Sequence, residues 1–223
     1  MTKSKVLNII VEGPTECEFV KDCMAPYWSA KQILEVRPIG LETSPGHKGG
    51  DVRYLRFKSH VERVLRGKED MIVTSLIDFY QLRSDFPKYE AAQKISDKID
   101  RVAFLEQACL EDIGDYRFVP YIQLHEFEAL LFTKWDGFEF CGLSASARTA
   151  IQAILQEYPN PELINDHPET APSKRLIQLF APAKYKKPFH GNFIALENGF
   201  ETILEKCPRF KAWIDTLEKR LIL

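Results

Sequence analysis

With 223 residues, 45% of them hydrophobic and 28% charged, the chain has the composition of a globular protein and enough length to bury a sizeable core. Its net charge of -2 spreads no basic field over the molecule, so any surface for nucleic acid must be local. The apolar run after MTKSK is too short for a signal peptide or a membrane span, and five scattered cysteines with no C-x-x-C pair suggest neither a disulfide framework nor a zinc site; the expectation is a cytoplasmic protein with reduced thiols.

Residues 6–11 (VLNIIV) are mostly apolar on both faces, as a parallel strand covered by helices is. Gly13-Pro14 makes a turn, Thr15 is placed to cap a helix with Glu18 as its capping-box partner, and Phe19, Val20, Cys23, Met24 and Tyr27 recur at helical spacing. Residues 33–39 read as a shorter strand limited by Pro38, and residues 41–51 (LETSPGHKGGD) as a turn-rich loop. An amphipathic helix over 52–65 carries Tyr54, Phe57, Val61 and Val64 on one stripe. Then come a buried strand over 71–77 (MIVTSLI), a loop over 79–88, one long helix over 89–109, a fourth strand over 117–124 (RFVPYIQL) and a short apolar helix over 129–132. Past Lys134 the strands fade, and helices are expected over 144–158, 173–180, 193–204 and 208–221. The alternation predicts an α/β fold over 1–134, a mostly parallel sheet flanked by helices, with a C-terminal helical subdomain over 135–223 packed on it.

Two of the predicted strands hand over to a loop through a carboxylate: Glu12 after the first, Asp78 after the strand at 71–77. In open α/β sheets ligands sit beyond the carboxyl ends of the strands, so the two acids meet there if the strands are neighbours. Glu126 and Glu128 follow the fourth strand. Converging carboxylates repel unless a cation neutralises them, and hard oxygen ligands suit Mg²⁺ or Mn²⁺, ions that serve phosphoryl chemistry. Acidic residues after strands also cap helices, a reading that covers Glu16 and Glu18 equally well.

The segments IIVEGPTE and VTSLIDFYQLRSDFP resemble the TOPRIM domains of topoisomerases, primases and OLD-family nucleases, in which one strand ends in Glu-Gly and a later one in Asp-x-Asp. Over nearly its whole length the chain is similar to the DUF4276 family of TOPRIM-like proteins, through VEGPTE, DFYQLRSDFP, YIQLHEFEALLF, NPELINDHPETAPSKRL and CPRFKAWI. The resemblance implies metal-dependent phosphodiester chemistry. Glu12 would be a metal ligand or the general acid/base, and Asp78 the first aspartate of Asp-x-Asp. The second position holds Tyr80, so Asp85, Glu126 or Glu128 would have to supply the missing oxygen, with Glu16 facing the same crevice. Such proteins resemble the nuclease halves of bacterial anti-phage defence systems that pair with a separate ATPase. The alternative is a degenerate, non-catalytic module that binds such an ATPase or nucleic acid.

Arg53, Arg56, His60 and Arg63 form one stripe on the helix at 52–65, with Lys58, Arg66 and Lys68 nearby: either a solvated face or a track for phosphates. Lys174 and Arg175, at the start of the helix at 173–180, are open to the same two readings, with Ser173 as the expected cap. The cluster Lys184, Tyr185, Lys186, Lys187, Phe189 and His190 reads as a surface loop or a stacking surface, and His125 as a structural or a proton-transferring residue. His47-Lys48-Gly49-Gly50 matches no Walker motif, so no ATPase is expected in this chain.

Overall fold

The computed structural model describes residues 6–31, 35–44, 47–48, 52–67, 70–165 and 167–222. The chain opens with β1 (Val6–Val11); a helical stretch made of α1 (Pro14–Phe19), a π turn (Val20–Met24) and α2 (Ala25–Ala30) leads to β2 (Glu35–Gly40). A small antiparallel ribbon, β3 (Glu42–Ser44) with β4 (His47–Lys48), precedes α3 (Tyr54–Leu65) and β5 (Met71–Asp78). Next come α4 (Tyr89–Ala92), α5 (Lys98–Ile113) and two short strands, β6 (Phe118–Val119) and β7 (Ile122–Gln123). The remainder is helical: a 3-10 turn (Phe127–Leu131), α6 (Asp136–Glu139), α7 (Ala145–Glu157), a second 3-10 turn (Pro161–Leu163), α8 (Pro172–Phe180), α9 (Lys187–Asn198), α10 (Phe200–Lys206) and α11 (Pro208–Ile222).

The main sheet runs β2-β1-β5-β6, with β7 pairing to β5 beyond β6, and every pairing in it is parallel. The expected α/β architecture is therefore the one adopted. β1 and β5 read as predominantly apolar runs because both faces are covered. Leu7, Ile9, Val11, Ile72 and Leu76 point into one cluster, while Val6, Ile10, Met71, Val73 and Ile77 point into the other with α3 and α5. The first cluster also takes in Phe19 and Trp28 together with Ile194, Phe200, Phe210, Ile214 and Leu217, so helices from beyond Lys134 share a core with β1 and α1.

Several local expectations are corrected. Gly13, not Thr15, is the N-cap of α1, with Pro14 as its first residue; Thr15 is buried, and Glu18 pairs with Lys21 at 3.0 Å instead of closing a capping box. A ribbon occupies part of the expected loop at 41–51. The long helix at 89–109 is two helices, because the Asp97 carboxylate accepts the Asp100 N–H and starts α5 afresh. The fourth strand is split at Pro120, which has no N–H for the ladder; the Ser75 hydroxyl fills the gap, bonding the Tyr121 N–H and carbonyl at 2.9 Å each. The helix expected at 193–204 is divided by Gly199, whose φ of 76° ends α9. Ala171 rather than Ser173 is the N-cap of α8. The expected strand start at Ile33, the glycine pair Gly49-Gly50 and Lys68 lie outside the described residues.

Candidate active site at the carboxyl edge of the sheet

Chain order places β2 on one side of β1 and β5 on the other, so the connection reverses direction between β1 and β5, and the crevice beyond their carboxyl ends is the topological switch point. The register aligns Val11 with Leu76, which sets Glu12 and Asp78 at the same edge. The Asp78 N–H donates weakly to Glu12 Oε2 at 3.4 Å. Beyond the strands the ladder continues irregularly: the Phe79 N–H bonds the Gln123 carbonyl (2.9 Å) and the Tyr80 N–H the His125 carbonyl (2.7 Å). This holds the HEFE segment against Asp78, whose Oδ1 accepts the Phe127 N–H at 2.8 Å. Both Gln81 (φ 60°) and His125 (φ 66°) occupy left-handed backbone, a conformation that costs non-glycine residues energy and gathers where a surrounding structure needs it.

The C-terminal helices close the crevice. The N-terminus of α8 meets Glu126, which accepts the Ser173 N–H on Oε2 (2.9 Å) and the Ser173 hydroxyl on Oε1 (2.8 Å). α9 crosses α1 at Gly191, where a Cβ would lie 3.2 Å from Tyr185 Oη and 3.4 Å from Thr15 Cγ2. That close approach delivers Lys187, the first residue of α9, to the acidic edge. Its side chain is 45% exposed, but its ammonium reaches in to 3.0 Å from Oε1 of Glu128, which is fully buried. The result is a cleft of about 570 Å³ lined by the acids Glu12, Asp78 and Glu126, by the cations Arg83, Lys174 and Lys187, and by Val52, Tyr80 and Leu82 among others.

The electrostatics are strained. Burial, then repulsion from Glu16, pushes the Glu12 carboxyl up to about 7, against the hydrogen bond from the Asp78 N–H and the attraction of Lys187. Burial and the Glu12 charge hold Asp78 well above the ordinary carboxylate range, with Lys187 opposing. Burial also raises Glu128 to about 7, despite Lys187. Burial disfavours the Lys187 ammonium, but Glu128, Asp78 and Glu16 outweigh it and hold its pKa above that of a free lysine. Neither Glu128 oxygen accepts an aligned hydrogen bond. Among the described residues, no three His, Cys, Asp or Glu side chains are gathered closely enough to form a ready-made metal cage.

A family model described as "Domain of unknown function (DUF4276)" matches residues 11–218. The chain belongs to the DUF4276 family. No curated protein and no solved structure is significantly similar to it.

The other predicted site residues of this DUF4276 protein are placed as follows. Glu16 is buried in α1 and acts electrostatically on Glu12 and Asp78, although it does not line the cleft. Asp85 is elsewhere: its Oδ2 accepts the Tyr54 N–H at 3.1 Å and so serves the start of α3. Glu126 lines the cleft while capping α8, and Glu128 lies behind it, paired with Lys187. Lys174 is exposed at the cleft. Arg175 points away, its Nε on the Thr170 carbonyl (2.8 Å) and its guanidinium 5.5 Å from the centre of the Tyr158 ring. Arg53, Arg56 and Arg63 lie on α3 or at its N-cap, outside the cleft lining, although Val52 immediately before them borders it. Lys58 is tied to Asp112 (2.8 Å) and His125 is buried, outside the cleft lining.

Two cleft cations were not singled out from sequence. Arg83 sits inside the DFYQLRSDFP segment already quoted, and its exposed position just after the Asp78 turn was the available signal. Lys187 is surrounded by Lys184 and Lys186, and nothing in that run separates the residue that turns inward.

Proposed function

We propose that this DUF4276 protein is a metal-dependent nuclease, or a related phosphoryl-transfer enzyme acting on nucleic acid, on a TOPRIM-like sheet. The observation that carries the reading is the meeting of Glu12 and Asp78 at the switch point between β1 and β5, in a cleft that Arg83, Lys174 and Lys187 also line. The donor set fits Mg²⁺ or Mn²⁺. Both groups are hard oxygen ligands, both are destabilised as anions by burial and like charge, and such ions commonly bind through one or two carboxylates with waters and substrate oxygens filling the rest. Glu12 and Asp78 would hold the ion, which when bound would supply positive charge to a phosphoryl oxygen and acidify a water.

The chain's own groups do the remainder. Without an ion, burial and Glu16 hold the Glu12 carboxyl up to about 7; beside a bound cation it would be drawn to the anion that ligates. Lys174 and Arg83, exposed on the cleft wall, offer charge to a phosphate backbone. The Phe127 N–H fixes Asp78, and the pairing of Glu126 with Ser173 holds α8 and Lys174 beside it. The test is cleavage of single- and double-stranded DNA and of RNA with Mg²⁺, Mn²⁺ or a chelator, alongside calorimetric titration of each ion. Glu12→Gln and Asp78→Asn should lose both ion binding and cleavage, and retention of both in either variant refutes the reading.

Tyr80 favours a second reading. It lines the cleft two residues after Asp78, where the TOPRIM pattern has an aspartate, and a phenol is a poor hard ligand. A module that binds nucleic acid or a separate ATPase without cleaving would keep the basic lining residues and show no ion-dependent cleavage.

A further inference from the structure

Four acids act on one another at and behind the cleft lining. Glu12, Glu16, Asp78 and Glu128 come from four separate places, the end of β1, α1, the end of β5 and the 3-10 turn after β7, and each acts on at least one of the others. Among the described residues that line the cleft, Arg83 and Lys174 are exposed at its wall, whereas the Lys187 ammonium reaches inward, 3.0 Å from a carboxylate with no exposed surface. It acts favourably on Glu12, Asp78 and Glu128 together. A lysine ammonium is a compact point charge on a four-carbon stem, and here nearly half of the side chain is exposed, so the stem has room to withdraw without unpacking a core.

We propose that Lys187 is a tethered counter-ion: it neutralises the acidic edge when no divalent cation is present, and it competes with such a cation for Glu12 and Asp78. This rests on the metal-dependent reading above. Lys187 is a positioning residue in this role. It sets how much divalent ion is needed to load the cleft, because two cations cannot share the same carboxylates without repulsion. A purely structural ion pair would affect folding alone. A tethered competitor affects folding and ion affinity in opposite directions, since removing it leaves the carboxylates unpaired in the apo protein and more available to an added ion.

The experiment uses the full chain with Mn²⁺ as the probe, reading calorimetric affinity and the thermal midpoint with and without the ion. Lys187→Met should lower the apo midpoint, bind Mn²⁺ about tenfold or more tightly than wild type, and gain more stability from saturating Mn²⁺ than wild type does. Lys187→Arg, which keeps the charge, should track wild type. If Lys187→Met does not fold, the double variant Lys187→Met/Glu128→Gln removes both members of the buried pair and should still show the tighter affinity. Equal or weaker Mn²⁺ binding in the Met variants overturns the proposal while leaving the metal reading intact. Absence of Mn²⁺ binding by wild type and every variant overturns the metal reading itself, and the competition with it.

Discussion

Replacing Glu12 by glutamine should stabilise the ion-free protein, and the size of the effect follows from the site. In the unfolded chain this carboxyl titrates near its ordinary 4.5, and in the fold burial and Glu16 raise it to about 7. Below the lower value both states are protonated, and the charge of Glu12 makes no difference to folding. As pH rises from there to about 7, the unfolded chain releases a proton that the folded protein retains, so stability falls. Above about 7 the full cost is present, on the order of 3 kcal/mol for a gap of about 2.5 pH units. A neutral amide at this position would carry no such cost and would relieve Asp78 of a neighbouring charge as well. For a chain of this length that corresponds to a gain of roughly 6–12 °C in thermal midpoint at pH 8, shrinking towards zero near pH 4.5. Circular-dichroism melts at the two pH values in chelator measure it directly. A Glu12→Gln variant no more stable than wild type at pH 8, or equally more stable at both pH values, would refute the claim that the fold holds Glu12 as a strained anion.

Three further outcomes follow from the same geometry. Glu126→Gln weakens the cap on α8 by about 1–2 kcal/mol in urea denaturation but leaves Mn²⁺ affinity within about twofold, because the carboxylate is committed to Ser173; a loss of tenfold or more would make it an ion ligand. Lys174→Ala lowers nucleic-acid affinity and reduces the salt slope by about one, measured by fluorescence anisotropy at several ionic strengths, whereas Arg175→Ala, turned towards Tyr158, leaves the slope unchanged. Glu162→Ala strips the acceptor from the Arg209 and Phe210 N–H groups at the start of α11 (2.8 and 3.0 Å) and should cost about 2–4 kcal/mol in the same urea measurement.

How much of this was legible in the sequence depends on what each segment answers to. β1 and β5 announced themselves because strands buried on both faces are predominantly apolar, with Asn8, Thr74 and Ser75 the polar exceptions, and the first charged residue after each run, Glu12 or Asp78, marks the edge. The split of the long helix was written in Asp97 and the spacing to Asp100, a local cap overridden in reading by the apolar periodicity on both sides. The late segments shared with the family carry structural pins. Asn160 caps the 3-10 turn that presents Glu162, Glu162 holds α11, and Trp213 stacks on Tyr121 at 4.2 Å while its Nε1–H bonds the Thr74 hydroxyl inside the sheet. Lys187 was legible only as one member of a basic cluster, because its inward role depends on α9 meeting α1 at Gly191, a contact between segments more than 170 residues apart.

That contact also orders events in time. A ribosome that has made residues 1–134 has built the strands bearing Glu12 and Asp78, but not Ser173, Lys174 or Lys187. It has also left one face of the sheet, Leu7, Ile9, Val11, Ile72 and Leu76, without the helices of the last third that complete its cover. Assembly of the acidic edge and completion of the core are therefore the same late step, and a nascent chain carries its carboxylates without the ammonium that tempers them.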